Sequence, residues 1–131
     1  MRKKTEVKLS RFELQLMTVI WERGEVSIRE VHESLPEKGR PAYTTVQTIV
    51  NRLEEKCAIE RSRKIGNAHM YKPIVSRKSI YADIVDDVLE MFGGSPQPLM
   101  AQLVDSGKVS LSELKELEKV IKSRKKKGGS A

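Results

Sequence analysis

Three helix starts are written into this chain in the same chemical form, and together they demand a mainly helical fold. At Ser10-Arg11-Phe12-Glu13 the serine hydroxyl can accept from the amide three residues on, while the glutamate reaches back to the serine amide. This is a capping box, and it satisfies donors that a helix end otherwise leaves open. Ser27-Ile28-Arg29-Glu30 and Ser110-Leu111-Ser112-Glu113 have the same form. Leu9 and Leu14 sit where a hydrophobic staple would brace the first start. The intervals between the three differ, so they mark independent helices and no internal repeat.

The first start opens a helix to about Trp21, with Phe12, Leu16 and Ile20 on one stripe and Leu14, Met17 and Trp21 on another; Gly24 ends it. The second runs from about Ser27 to Leu35 and stops before Pro36. A polar turn over 37–41 leads into a third helix over 42–56, whose apolar face is Val46, Ile49, Val50 and Leu53. Helix, short helix, turn and helix are the parts of a helix-turn-helix unit. Ala58 to Lys64 and His69 to Val75 are short extended candidates, with Gly66-Asn67 between them as a tight turn because both residues tolerate positive φ. The fold expected is therefore mainly α with a small β-hairpin, a winged helix-turn-helix domain over residues 1–75.

Residues 76–124 read as a helical arm. Ile80, Ile84, Val88 and Phe92 recur at spacings of four on a helix from Ser76 to Phe92, which Gly93-Gly94-Ser95-Pro96 breaks. A shorter apolar segment follows around Leu99, Met100, Leu103 and Val104, and a last helix carries Leu111, Leu114, Leu117 and Ile121 as a stripe. The arm is too short to build its own core, so these stripes want a partner, and a second copy of the chain is the simplest one. Ile80, Ile84, Val88, Phe92, Leu103, Leu114, Leu117 and Ile121 are the residues expected at a homodimer interface. The lysine-rich end, 125–131, is expected to be a disordered tail.

The chemistry of the third helix points to a ligand. Opposite its apolar face lie Thr44, Thr45, Gln47, Thr48, Asn51 and Arg52. A solvated face more often alternates Glu and Lys. Hydroxyls suit phosphate oxygens, whereas Gln, Asn and Arg can hydrogen-bond base edges in a DNA major groove. The formal net charge is +7, and residues 40–75 hold seven Lys/Arg against three Asp/Glu, so over half of the excess falls beside this helix. That balance favours a polyanionic partner such as double-stranded DNA. No apolar run approaches the roughly 20 residues of a membrane helix, and the basic N-terminus lacks the apolar stretch of a secretory signal. A single cysteine, Cys57, allows no intrachain disulfide, in keeping with a cytoplasmic protein.

Other clusters read more plainly. Asp83, Asp86, Asp87 and Glu90 are expected to form a solvated helix face, with no catalytic pair among them. His32, His69 and Cys57 show no short ligand spacing. Neither an enzymatic activity nor a cofactor or metal is expected.

On these residues the chain resembles the penicillinase-repressor family of transcriptional regulators. The matching positions are Leu9 through Trp21, with Glu13 and the Ile20-Trp21 pair, and above all Ala42-Tyr43-Thr44-Thr45-Val46-Gln47-Thr48-Ile49-Val50-Asn51-Arg52-Leu53. Glu54-Glu55-Lys56 and Tyr71 also fit, and the likeness is looser over 76–122. The resemblance implies a dimeric repressor that binds two-fold operators, its third helix in the major groove and its wing along the backbone. Carried over by position, Gln47 would read a base edge with help from Thr48, while Arg52, Thr44, Thr45, Arg63 and Lys64 would hold phosphates.

Three departures bear on regulation. Cys57 stands where the family usually has Gly after the third helix, a position suited to a left-handed cap. Members controlling β-lactamase genes are inactivated by cutting at an Asn-Phe pair in the arm; this chain has Gln102-Leu103 there, which puts an inactivating protease in doubt. Copper-responsive relatives carry paired Cys-x-Cys ligands near the C-terminus, and none exists here. The reading is a repressor acting on a palindromic operator as a homodimer. Its rivals are a protein-interaction adaptor built on the winged helix, and a redox- or metal-responsive regulator using Cys57 and a histidine.

Overall fold

The structure, a computed structural model, describes residues 5–128. It divides into two compact units, Met1–Val85 and Asp86–Ala131. The first contains α1 (Arg11–Arg23), β1 (Val26–Ser27), α2 (Ile28–Ser34), α3 (Tyr43–Glu55), β2 (Ile59–Ile65), β3 (Ala68–Pro73) and the first part of α4 (Arg77–Met91). The second contains the rest of α4, then α5 (Pro96–Asp105) and α6 (Leu111–Gly128).

All three capping boxes form. Ser10 Oγ accepts from the Glu13 amide at 3.2 Å and Glu13 Oε1 from the Ser10 amide at 2.7 Å; Ser27 with Glu30 and Ser110 with Glu113 repeat both bonds. Gly24, at φ 83, ends α1 in a conformation that a side chain would strain. α2 stops at Leu35, whose carbonyl accepts from Arg40 Nε and Nη2 at 3.1 and 2.7 Å. Arg40 is therefore a helix cap, although its charge counted toward the basic stretch.

The expected apolar faces meet in one core: Leu16, Met17 and Ile20 of α1, Val31 of α2, and Val46, Ile49, Val50 and Leu53 of α3 close on Ile59 and Tyr71 of the hairpin. The hairpin is two strands of a three-stranded antiparallel sheet, ordered β1-β3-β2. β1 pairs Val26 with Tyr71 and Ser27 with Met70. At two residues it is too short for any alternation to announce it. Its pairing closes β3 against the helices.

The start of α4, within the first unit, packs on α1. Trp21 Nε1 donates to Val75 O at 2.9 Å, its ring meets Tyr81 edge-on at 6.2 Å, and the Arg77 guanidinium lies 5.6 Å from it. Two expectations fail here for that reason. Ile80, expected at a homodimer interface, is buried within the first unit. Asp83, expected on a solvated face, is buried too, and accepts from the amide and hydroxyl of Thr5 at 3.1 and 2.8 Å.

In the second unit no described side chain is buried. Val88, Phe92, Leu103 and Leu114 are half-buried, while Leu117 and Ile121 are exposed, as is Ile84 in the first unit. α6 is helical through Gly128, so the disorder expected from residue 125 does not begin there; the remainder of that tail, 129–131, lies outside the described residues.

Glu13 and Lys56 tie the start of α1 to the end of α3. Lys56 Nζ donates to Glu13 Oε1 at 2.7 Å and to Lys8 O at 2.8 Å. Burial pushes the Glu13 carboxyl up, but bonds from Lys56 and Ser10 together outweigh it and hold it below its ordinary 4.5. A carboxylate lowered on folding stabilises the fold above its unfolded value and loses that contribution as pH falls through the folded one. Stability should thus decline in acid from about pH 4.5 downward. In Lys56→Met, burial is less opposed and the folded carboxyl moves up toward its unfolded value, so urea unfolding across pH should show a shallower acid decline, with about 2 kcal/mol lost at neutrality.

Candidate nucleic-acid interface

α3 presents Thr44, Thr45, Gln47, Thr48, Asn51 and Arg52 as one exposed face over its fully packed apolar one. The helix has no side-chain cap at Ala42, which leaves the Tyr43 and Thr44 amides uncapped, while the Thr45 amide donates to Ala42 O at 3.0 Å. Thr48 Oγ1 donates to Thr44 O at 3.0 Å, which fixes its methyl and hydroxyl on the outer surface. Gln47 and Asn51, one turn apart, line a concave groove of about 290 Å³ between α3 and the hairpin, with Arg29, Arg61, Asn67 and His69 on its other walls. Arg29, Asn67 and His69 were not among the expected contacts, because only the fold brings α2 and the hairpin opposite α3.

Ion pairing sorts the seven cations of 40–75. Arg40 caps α2, Lys56 holds Glu13, and Arg61 pairs with Glu54 at 3.1 Å beneath which Tyr71 lies 5.9 Å away. Arg63 pairs with Glu25 at 2.8 Å and Lys72 with Glu60 at 3.6 Å. Among the described residues, the side chains of Arg52 and Lys64 make neither ion pair nor hydrogen bond. Of the three cations expected on phosphates, Arg52 and Lys64 are thus unpaired, while Arg63 is exposed but engaged.

Cys57 follows α3 at φ 63, the left-handed conformation that glycine favours. The Ala58 amide reaches Leu53 O at 2.9 Å and the Cys57 amide reaches Glu54 O at 3.0 Å, the two bonds of a Schellman motif. The cap is kept although the residue is unsuited to it, so Cys57→Gly should stabilise the fold. The gain expected is roughly 0.5–1 kcal/mol, strain relieved less the freedom glycine adds to the unfolded chain. Equilibrium denaturation would measure it. The thiol is exposed.

The Penicillinase repressor family model matches residues 9–123. The chain belongs to the penicillinase repressor family. It is 33% identical over 101 residues to the transcriptional regulator BlaI of Mycobacterium tuberculosis (strain ATCC 25618 / H37Rv), covering 75% of this chain and 72% of that one. The penicillinase repressor of Bacillus licheniformis is 23% identical over 120 residues, covering 90% and 92%. The solution structure of the DNA-binding domain of the repressor BlaI superposes at TM-score 0.51 with 28% identity, covering 59% of this chain and 93% of that domain. The Bacillus licheniformis BlaI monomer in complex with the blaP half-operator gives 0.50 at 28%, with the same coverages. As a family member the chain is a DNA-binding transcriptional repressor with a winged helix. The Gln102-Leu103 bond lies within α5, and among the described residues no cluster of His, Cys, Asp and Glu could hold a metal and no helix is long and apolar enough to cross a membrane.

Proposed function

We propose that this repressor binds a palindromic operator as a homodimer, each protomer laying α3 in the major groove and its hairpin along the backbone. The observation that carries the reading is the α3 face: uncharged amides and hydroxyls, exposed, on a helix whose other side is locked into the core. Gln47 reads a base edge, with Thr48 and Asn51 beside it. Arg52, Thr44, Thr45 and Lys64 hold phosphates. The half-operator complex of the Bacillus licheniformis relative supports a duplex as the ligand.

The second unit supports the homodimer. Its helices leave an apolar groove of about 620 Å³ lined by Met100, Leu103, Val104, Leu114 and Leu117, with Ile121 63% exposed on the stripe beyond. An apolar surface of that kind, on a unit with no core of its own, is best covered by a second copy.

Selection of bound sequences from a random DNA pool tests the whole reading, and two inverted half-sites are expected. Gln47→Ala should relax preference at one position of each half-site by about tenfold, within the range of a single base contact. Arg52→Ala should weaken every sequence alike. Equal losses on all sequences from both variants would dissolve the division of roles. A pool from which nothing is enriched would favour the protein-interaction adaptor.

A further inference from the structure

One carboxylate in the chain between α1 and α2 grips the wing. Glu25 sits in the turn between α1 and β1, and its Oε2 accepts from Ser62 Oγ at 2.5 Å. Its Oε1 accepts from Arg63 Nε at 2.9 Å and Nη2 at 2.8 Å. The Ser62 and Arg63 hydrogen bonds, more than the nearby charges of Arg63 and Lys72, hold the Glu25 carboxyl below the usual range, so it is an anion at neutral pH. Ser62 lies at the irregularity of the β2–β3 ladder, where the register shifts between Arg61 and Arg63. Such a bulge bends a strand and re-aims its side chains. An isolated two-stranded hairpin has little rigidity of its own, and β1 pairs with it through only two residues.

We infer that Glu25 is a positioning residue for the wing, and that Arg63 is the strut through which it acts and no phosphate ligand. A DNA phosphate reaching Arg63 would have to compete with a carboxylate that already takes two of its donors in charge-assisted hydrogen bonds. That carboxylate cannot swing aside without also releasing Ser62. Lys64, the next residue, points to the opposite face of the strand and is without a partner among the described residues. The wing therefore presents Lys64 to the backbone, while Glu25 withholds the Arg63 charge and uses it to set the angle of β2.

The assignment rests on the DNA-binding reading, and salt dependence of binding by the full chain to its selected operator tests the two separately. Lys64→Ala should flatten the plot of log affinity against log salt by about one unit per protomer. Glu25→Gln keeps an acceptor for Ser62 and frees Arg63, so it should steepen the plot by about one unit per protomer. The charge-neutral pair Glu25→Gln with Arg63→Gln should lower affinity about fivefold, the worth of one wing-anchoring bond, at the wild-type slope. A pair that instead loses a unit per protomer would place Arg63 on a phosphate and overturn the assignment. An unchanged slope in Glu25→Gln would overturn it as well, and if that variant does not fold, the neutral pair decides alone. Salt-insensitive binding by the wild type would defeat the DNA reading itself.

Discussion

Raising monovalent salt from 50 to 200 mM is expected to weaken operator binding about 10²-fold. The figure follows from which cations are free. Arg52 and Lys64 are the unpaired ones of the DNA-facing stretch among the described residues, so a homodimer brings about four to the backbone, and each neutralised phosphate contributes a slope near −0.9. Had all seven Lys/Arg of 40–75 been available, the fall would be many orders of magnitude. Titration of a labelled duplex at four or five salt concentrations measures the slope directly. Removing Arg52 and Lys64 together should leave it nearly flat, while a slope that stays steep would mean that paired residues exchange their carboxylates for phosphates.

Leu53→Ala is expected to destabilise the winged helix by about 3 kcal/mol. The side chain is wholly buried, on the face that fastens α3 to the hairpin, and its carbonyl receives the Ala58 amide that closes the helix. Surrounding groups come from three helices and a sheet, so the cavity cannot collapse easily. For a unit of this size the melting temperature should fall by roughly 12–24 °C. Circular dichroism on heating reads it. A drop below about 1 kcal/mol would show that α3 is not anchored through this residue. DNA affinity per folded molecule should change little, because Leu53 lies opposite the binding face.

Much of the fold was legible because its signals are short-ranged. A capping box needs four consecutive residues, an amphipathic face repeats within one or two turns, and Gly66-Asn67 announces its turn without help. The polar face of α3 was readable for the same reason, since Val46, Ile49, Val50 and Leu53 dictate which side Gln47 and Asn51 must occupy. β1 escaped notice because two residues carry no period. The boundary between the units also moved into α4, because Trp21 holds the helix start against the first unit.

Residue types at helical spacing thus determined by themselves that this chain folds as a winged helix with an unpartnered helical arm, and that one helix offers amides and hydroxyls outward. What tertiary structure alone decided is the state of each charge and of each borderline residue. Glu25 meets Arg63 across 38 positions, Lys56 meets Glu13 across 43, and Thr5 meets Asp83 across 78. Coulombic and hydrogen-bond partners at such separations are chosen by how the core brings elements together, and nothing in the local sequence encodes them. The count of basic residues pointed to DNA; the folded core selected Arg52 and Lys64 as the ones free to touch it.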